Sequence, residues 1–409
     1  ILYHTIAMFV VAVETYMITD LLRIKDSLRV TINSTITIGY LAALFGGIPF
    51  AYWGHNWALH GIYIAGLSLI FFAGCTLVYA LWPWRKEHRI TSTVYAHTRT
   101  GIDLERTAFF AMAVTTLISS IFGAVPGSFF GNGFETFLAE NVIREPHKTA
   151  LDLSVIGHLH IMLALIAIAC SLIISRWMDF KGILHKIAMP LFIIGSIILS
   201  VGTWLVVAFE ELAHFIIYGG STIAMLGALL LVIYSWDKLI KDGLKEKGLK
   251  KGTFFQGLAA LMRDPLKFGV TWQMVFMNFV VSGIGIFTAV KLDEIFRRWQ
   301  YMDERAILTG HWHILATLTA TILLLYYGDI AGLKGRTRQV FGWSIIIFSD
   351  LAFAAVTLYE LKRMFVSEAE QQPFIRTTNL LGDIGLVGVL VALAALMVWR
   401  LTDLFKKRG

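Results

Sequence analysis

Seven histidines recur at ordered places within the apolar stretches of this 409-residue chain. Four of them form two pairs, each pair following a glycine: Gly157-His158-Leu159-His160 and Gly310-His311-Trp312-His313. The other three are His4, His60 and His214. Imidazole is a common ligand of transition metals, and residues i and i+2 of an α-helix point about 200° apart. Each pair therefore predicts two separate centres on opposite sides of its helix, rather than one shared metal ion.

An apolar helical bundle that offers imidazoles from facing helices is a suitable site for haem b, because haem iron takes axial histidine. Covalently attached haem is not indicated, since the chain contains no Cys-x-x-Cys-His and its two cysteines, Cys75 and Cys170, lie far apart. The sequence therefore predicts two or more haem b groups. The candidate ligands are His4, His60, His158, His160, His214, His311 and His313.

The remaining histidines lie near predicted loops and have a different interpretation. A single histidine in such a place commonly only hydrogen-bonds a neighbouring carbonyl group. We expect this structural role for His55, His88, His97, His147 and His185.

The elements that must position the seven histidines are transmembrane helices. Apolar residues make up 57% of the chain and charged residues 15%, whereas a soluble domain carries charge on about a quarter of its residues. Stretches of roughly 20 apolar residues recur, and in lipid they must be helical. The sequence predicts an all-α membrane protein with about eleven spans, starting near His4, Ser34, Leu59, Arg106, Ser154, His185, Glu211, Phe268, Ala306, Thr337 and Thr378.

The uneven distribution of basic residues predicts the orientation. Alternate loops place most lysines and arginines on one side, including the basic segment 237–267 and the tail Lys406-Lys407-Arg408. Loops rich in these residues stay in the cytoplasm. This predicts an inner-membrane protein with a cytoplasmic C-terminus and with the seven histidines near the opposite face. The net charge of +7 then indicates contact with lipid headgroups, and no nucleic-acid partner is expected.

The spans also contain an internal repeat. His60 precedes Trp82 by 22 residues, and His214 precedes Trp236 by the same number. The two Gly-His-x-His pairs lie 153 residues apart, His4 lies 156 residues before His160, and Trp399 marks a third copy that has Thr377 in place of the histidine. Together these spacings predict three four-helix units, approximately 1–82, 106–236 and 268–400, in a single polytopic domain. The first unit would lack its first helix in this chain, so twelve helices are expected in the full protein.

Two motifs resemble the catalytic subunits of haem–copper oxidases and nitric-oxide reductases. Gly310-His311-Trp312-His313 is similar to the Gly-His-x-His of that family's helix ten, and Leu2-Tyr3-His4-Thr5 is similar to the start of its helix two. The resemblance implies that His4 and His313 sandwich a low-spin haem b, that His311 binds a second haem, and that His158 takes the place of the first non-haem metal ligand.

The chain also departs from that family. It has no adjacent His-His pair, and the corresponding region reads Gly202-Thr203-Trp204-Leu205. The family's tyrosine four residues after the helix-six histidine is missing. His60, His160 and His214 have no counterpart and would supply further haem ligands. An ordinary oxidase centre is therefore not expected.

Three functions remain open from the sequence. The first is a haem b subunit that transfers electrons between a periplasmic cytochrome, or an extracytoplasmic redox subunit, and the quinone pool, within a hetero-oligomeric respiratory complex. The second is a divergent nitric-oxide or dioxygen reductase, with an open haem on His311 and a non-haem metal on His158, Glu210 and Glu211. The third is a transporter that uses intramembrane carboxylates such as Glu14, Asp350 and Asp383.

Overall fold

The structure is a computed structural model that describes residues 2–53, 56–129 and 148–406. It does not describe the side chains of Leu2, Tyr3, Phe129, His311, Asp403, Leu404 and Lys406. The chain divides into two compact units, residues 1–231 and 232–409.

The first unit is built from long apolar helices. They are α1 (Leu2–Leu21), α2 (Asp26–Trp53), α3 (Trp57–Leu81), α4 (Leu104–Phe129), α5 (Ala150–Trp177), α6 (Ile183–Leu205) and the first part of α7 (Glu210–Glu246). Polar caps mark several starts: Asn56 accepts the amide of Leu59, and Thr149 and Asp152 form a capping box before α5.

The second unit contains the rest of α7 and the helices that follow it. They are α8 (Phe254–Leu261), α9 (Pro265–Val275), α10 (Ser282–Val290), α11 (Tyr301–Ile330), α12 (Gly335–Glu360) and α13 (Gln371–Lys406). A π-helical turn, Phe276–Val281, joins α9 to α10. A short helix, Lys362–Phe365, follows α12.

The predicted fold class is confirmed. Within the described residues the regular secondary structure is helical, with no strand beyond two isolated β-bridges, and eleven segments are long and apolar enough to cross a membrane. The second span begins earlier than expected, at Asp26 rather than near Ser34. Its first turns are polar yet helical because Asn33 accepts hydrogen bonds from Tyr16 and Thr19 of α1. The three four-helix repeats stay a prediction.

Glycines let α2 and α3 pack backbone against backbone. A Cβ atom at Gly66 of α3 would overlap the main chain at Ala43, and one at Gly46 of α2 would lie 2.6 Å from the amide nitrogen of Tyr63. Small residues at such crossings are the usual means of helix association in membranes, where lipid removes the hydrophobic driving force between helices. The close crossing of α2 and α3 fixes the position of Tyr63, which the site uses.

Charged residues join the helix ends at one end of the first unit, which we call the basic end. Arg106 of α4 donates to the carbonyl oxygen of Ala80 at 3.1 Å and to that of Leu22 at 2.8 Å. Glu105 accepts hydrogen bonds from Ser175 at 3.0 Å and Arg176 at 2.7 Å. The ends of α1, α3, α4 and α5 are thereby held together, which leaves the histidines of these helices at the opposite end.

Candidate functional site

His4 and Tyr63 meet at the histidine end of the first unit, the end that carries His4, His60 and His158. The Nδ1 atom of His4 lies 3.1 Å from the hydroxyl of Tyr63, whose side chain is buried in α3. Because Tyr63 is held by the crossing of α2 and α3, this hydrogen bond fixes the ring of His4. The ring's Nε2 atom is then the nitrogen that remains for a ligand.

His158 of α5 is fixed in a similar way. Its Nδ1 atom lies 3.0 Å from the carbonyl oxygen of Ser119 on α4. A carbonyl oxygen only accepts hydrogen bonds, so Nδ1 carries the proton and Nε2 carries the lone pair. A backbone carbonyl behind the Nδ1 atom is the usual arrangement of a metal-binding histidine.

The rings of His4 and His158 are in edge-on contact. Their centroids are 5.9 Å apart and their planes make an angle of 80°. This separation is usual for a T-shaped contact between rings, and it brings two candidate ligands from α1 and α5 together at the histidine end. The sequence selected both residues as candidate ligands and assigned them to different centres, and that assignment stays a prediction.

Gly123 of α4 makes room for the ring of His158. A Cβ atom at this glycine would overlap the ring. We expect Gly123→Ala to displace the ring from Ser119 and to lower the free energy of unfolding by about 1–3 kcal/mol, the usual cost of overpacking. Denaturation of the purified protein in detergent measures the change.

Gly61 of α3 provides the matched control, because a Cβ atom there would have no neighbour within 4 Å. Gly61→Ala is expected to leave stability unchanged or to raise it by about 0.5–1 kcal/mol, since alanine favours the helix over glycine. Equal stability of the two variants would contradict the contact between Gly123 and His158.

The other histidines of the first unit have different surroundings. The Nδ1 atom of His160 lies 2.8 Å from the carbonyl oxygen of Ile156, within its own helix. His214 interacts electrostatically with His160, and its ring stacks on that of Tyr218 with centroids 6.3 Å apart. His60 packs against Phe50 and Trp57. The structure thus places His160 near His214, two of the residues predicted as further haem ligands.

In the second unit, His313 is exposed, and its Nδ1 atom lies 2.9 Å from the carbonyl oxygen of Thr309. As in His158, this fixes the tautomer with the lone pair on Nε2. The side chain of His311 lies outside the described residues, so its predicted role as a haem ligand is not tested. His4 and His313 belong to different units, and their pairing stays a prediction.

Sequence reasoning missed a carboxylate beside the Gly-His-x-His turn of α11. Glu360 is the last residue of α12, and its carboxylate occupies the space beside Gly310, where a side chain would otherwise lie. Glu360 is 3% exposed, and its Oε1 atom has no hydrogen-bond partner among the described residues. The glycine of the motif was the one available signal, because a glycine inside a helix often marks a close approach by another group.

A buried cluster of charges joins the start of α11 to the residues just after α12. Lys362 and Arg363, which follow α12, both pair with Asp303 near the start of α11. Lys362 is 2% exposed, and a buried charge of this kind requires a partner. The cluster fixes the start of α11, the helix of His311 and His313, against the end of α12.

The predicted non-haem metal site of His158, Glu210 and Glu211 stays a prediction. Both glutamates are exposed in the first turn of α7. In the part of the chain that the structure describes, no group of three or more histidine, cysteine, aspartate and glutamate side chains is arranged to hold a metal ion.

Three of the remaining histidines bind backbone groups. Nδ1 of His88 lies 2.9 Å from the carbonyl oxygen of Trp82, and burial lowers its pKa. Nδ1 of His97 lies 3.0 Å from the carbonyl oxygen of Tyr95. His185 accepts a hydrogen bond from the amide of Ala96 rather than donating to a carbonyl. His55 and His147 lie outside the described residues, so the structural role expected for them stays a prediction.

No family model, curated protein or solved structure matches this chain. The resemblance to haem–copper oxidases and nitric-oxide reductases consequently stays a prediction based on the motif residues.

Proposed function

We propose that the chain is a membrane-embedded haem b subunit that transfers electrons between a partner on the periplasmic side and the quinone pool. The observation that carries this proposal is the pair His4 and His158. Their ring centroids lie 5.9 Å apart on two different membrane helices, α1 and α5. The Nδ1 atom of His4 is hydrogen-bonded to Tyr63 of α3, and that of His158 to the backbone of Ser119 of α4.

The donor set fits haem b. Two neutral imidazoles with fixed orientation, in an apolar bundle, are the ligands that low-spin haem iron takes. His4 and His158 would hold one group, with Tyr63 and Ser119 orienting the rings. His160 and His214 are candidates for another, and His311 and His313 for a third. When bound, haem b supplies a centre that takes up and releases one electron.

The distribution of charge supports the proposed orientation of the chain in the membrane. Lysines and arginines concentrate in the loops opposite the histidine end, and such loops face the cytoplasm. We therefore place the histidines near the periplasmic face of the inner membrane and the C-terminus in the cytoplasm. A periplasmic cytochrome or an extracytoplasmic subunit would dock near segments 128–153 and 291–305, within a hetero-oligomeric respiratory complex.

The position of Glu360 favours one second candidate, a divergent nitric-oxide or dioxygen reductase. Its buried carboxylate lies against Gly310, one residue before His311. A buried carboxyl group beside an open haem site is suited to deliver protons to a bound substrate. In this alternative, His311 would carry a high-spin haem and His158, Glu210 and Glu211 would hold a non-haem metal.

Optical spectra of the purified full chain test both functions. An electron carrier with two histidines on every iron is expected to show a reduced-minus-oxidised haem b spectrum that carbon monoxide leaves unchanged. A reductase would show a carbon-monoxide-induced shift, because one coordination position stays open. A preparation from haem-replete cells that contains no haem would contradict both proposals.

A further inference from the structure

Glu14 is a carboxyl group in the middle of a membrane helix. It lies seven residues before the last residue of α1, Leu21, and so about 10 Å from that helix end. Its side chain is 4% exposed, and its Oε1 atom has no hydrogen-bond partner among the described residues. A buried carboxylate without a partner is costly, and inside a membrane such groups are usually functional.

Glu14 lines a cavity inside the first unit. The cavity measures about 70 Å³ and lies between α1, α2, α3, α4 and α5. Besides Glu14, its polar lining consists of Thr15 and Thr116, whose hydroxyls donate to carbonyls of their own helices. A cavity of this volume holds a few water molecules when polar groups line it. Water there would reach the carboxyl group.

A second cavity opens at the basic end of the same unit. It measures about 290 Å³ and is lined by Tyr95, Asp103, Glu105, Ser175, Arg176 and neighbouring residues. Ser92 on its rim is exposed. A hydrogen bond of 3.0 Å from Ser175 to Glu105 ties the wall of this cavity to α5.

Helix α5 lines both cavities. Ala169 lines the inner cavity and Ser175 lines the cavity at the basic end. The two residues are six positions apart, which is about 9 Å by helix rise. Among the described residues, Cys170 of α5 is the one titratable side chain with an electrostatic interaction with Glu14. The cavity lining contributed by α2, α3, α4 and α5 carries no charge.

We propose that Glu14 is an intramembrane proton-binding site that is loaded with protons through the cavity at the basic end. A proton carried by water combines with the carboxylate, which gives a neutral carboxyl group and leaves the water molecule. Proton binding at Glu14 does not require that the chain bind haem.

A proton is the ligand that this lining favours over a metal cation. An alkali or alkaline-earth cation takes about six or more oxygen ligands. The cavity offers the Glu14 carboxylate and two hydroxyls, and its remaining lining is apolar. One proton removes the charge without any further ligand.

Infrared difference spectroscopy of the purified full chain tests the site during a change of pH. We expect a carbonyl band of a protonated carboxylic acid that shifts to lower wavenumber in D₂O and is lost in Glu14→Gln. Asp383 provides the matched control: it lies in the apolar span of α13 but is exposed, and Asp383→Asn is expected to keep the band. An unchanged spectrum in Glu14→Gln, or a band that responds to sodium ions at constant pH, would overturn the proposal.

The route has its own test. Ser175→Ala removes a hydroxyl from the wall of the cavity at the basic end, on the helix that also lines the inner cavity, and a longer half-time of the D₂O shift is expected. An unchanged half-time would overturn entry from the basic end. If the variants fail to fold, a hydrophobic carbodiimide can be applied to the wild-type protein, since it reacts with protonated carboxyl groups within membranes. Mass spectrometry is expected to find the adduct on Glu14, and labelling confined to other carboxyl groups would contradict the site.

Discussion

Replacement of His4 by alanine is expected to lower the haem content of the purified protein by up to about one haem b per chain, because it removes one of the two proposed axial ligands. His158→Ala is expected to have the same effect, since its ring contacts that of His4 with centroids 5.9 Å apart. Pyridine haemochrome absorbance divided by protein concentration measures the loss.

Tyr63→Phe provides a graded version of this experiment. The variant removes the hydroxyl that lies 3.1 Å from Nδ1 of His4 and leaves the ligand itself in place. Loss of such an outer partner usually weakens metal affinity about 10–100-fold. We expect Tyr63→Phe to bind haem but to release it faster to a haem scavenger such as apomyoglobin.

His97 provides the matched control, because it binds the backbone of Tyr95 in a loop. His97→Ala is expected to keep the full haem content. Haem content that is unchanged in both His4→Ala and His158→Ala would exclude this pair as ligands. A loss in His4→Ala and His313→Ala, with His158→Ala unaffected, would instead favour the sandwich that the family resemblance implies.

Composition and span length were sufficient for the fold class because the membrane imposes them. A stretch such as Ile183–Leu205 has to be a helix, as no other backbone structure satisfies its amides in lipid. Helix starts were less predictable where polar residues belong to the helix. Asn33 extends α2 beyond its apolar part because Tyr16 and Thr19 of α1 supply it with partners, and these contacts are not visible in either segment alone.

The sequence selects candidate ligands by residue type but does not show which of them come into contact. The recurrence of histidines after glycine was sufficient to select His158 and His313 as candidate ligands. Which rings meet depends on how the helices rotate about their axes and which helices become neighbours. The contact of His4 with His158, and that of Glu360 with Gly310, join segments far apart in sequence, and no periodic pattern encodes them.

The contacts of Arg106 could not be read from the sequence either, and they lead to the largest expected change in stability. Its side chain is 6% exposed, and it donates to the carbonyl oxygens of Leu22 and Ala80. These carbonyls lie at the ends of α1 and α3, where the last turn of a helix lacks internal partners. A cation at this position also offsets the negative ends of both helix dipoles.

We expect Arg106→Met, which keeps an apolar stem but removes the guanidinium, to lower the free energy of unfolding by about 3–6 kcal/mol. The estimate assigns about 1.5–3 kcal/mol to each of two hydrogen bonds from a charged donor. Unfolding of the purified protein in mixed micelles, followed by circular dichroism, measures the change. Arg29→Met is the matched control: Arg29 is partly exposed and pairs with Asp26 at 3.1 Å, so its loss should cost only about 0–1 kcal/mol. Equal stability of the two variants would show that Arg106 does not hold the ends of α1 and α3 together.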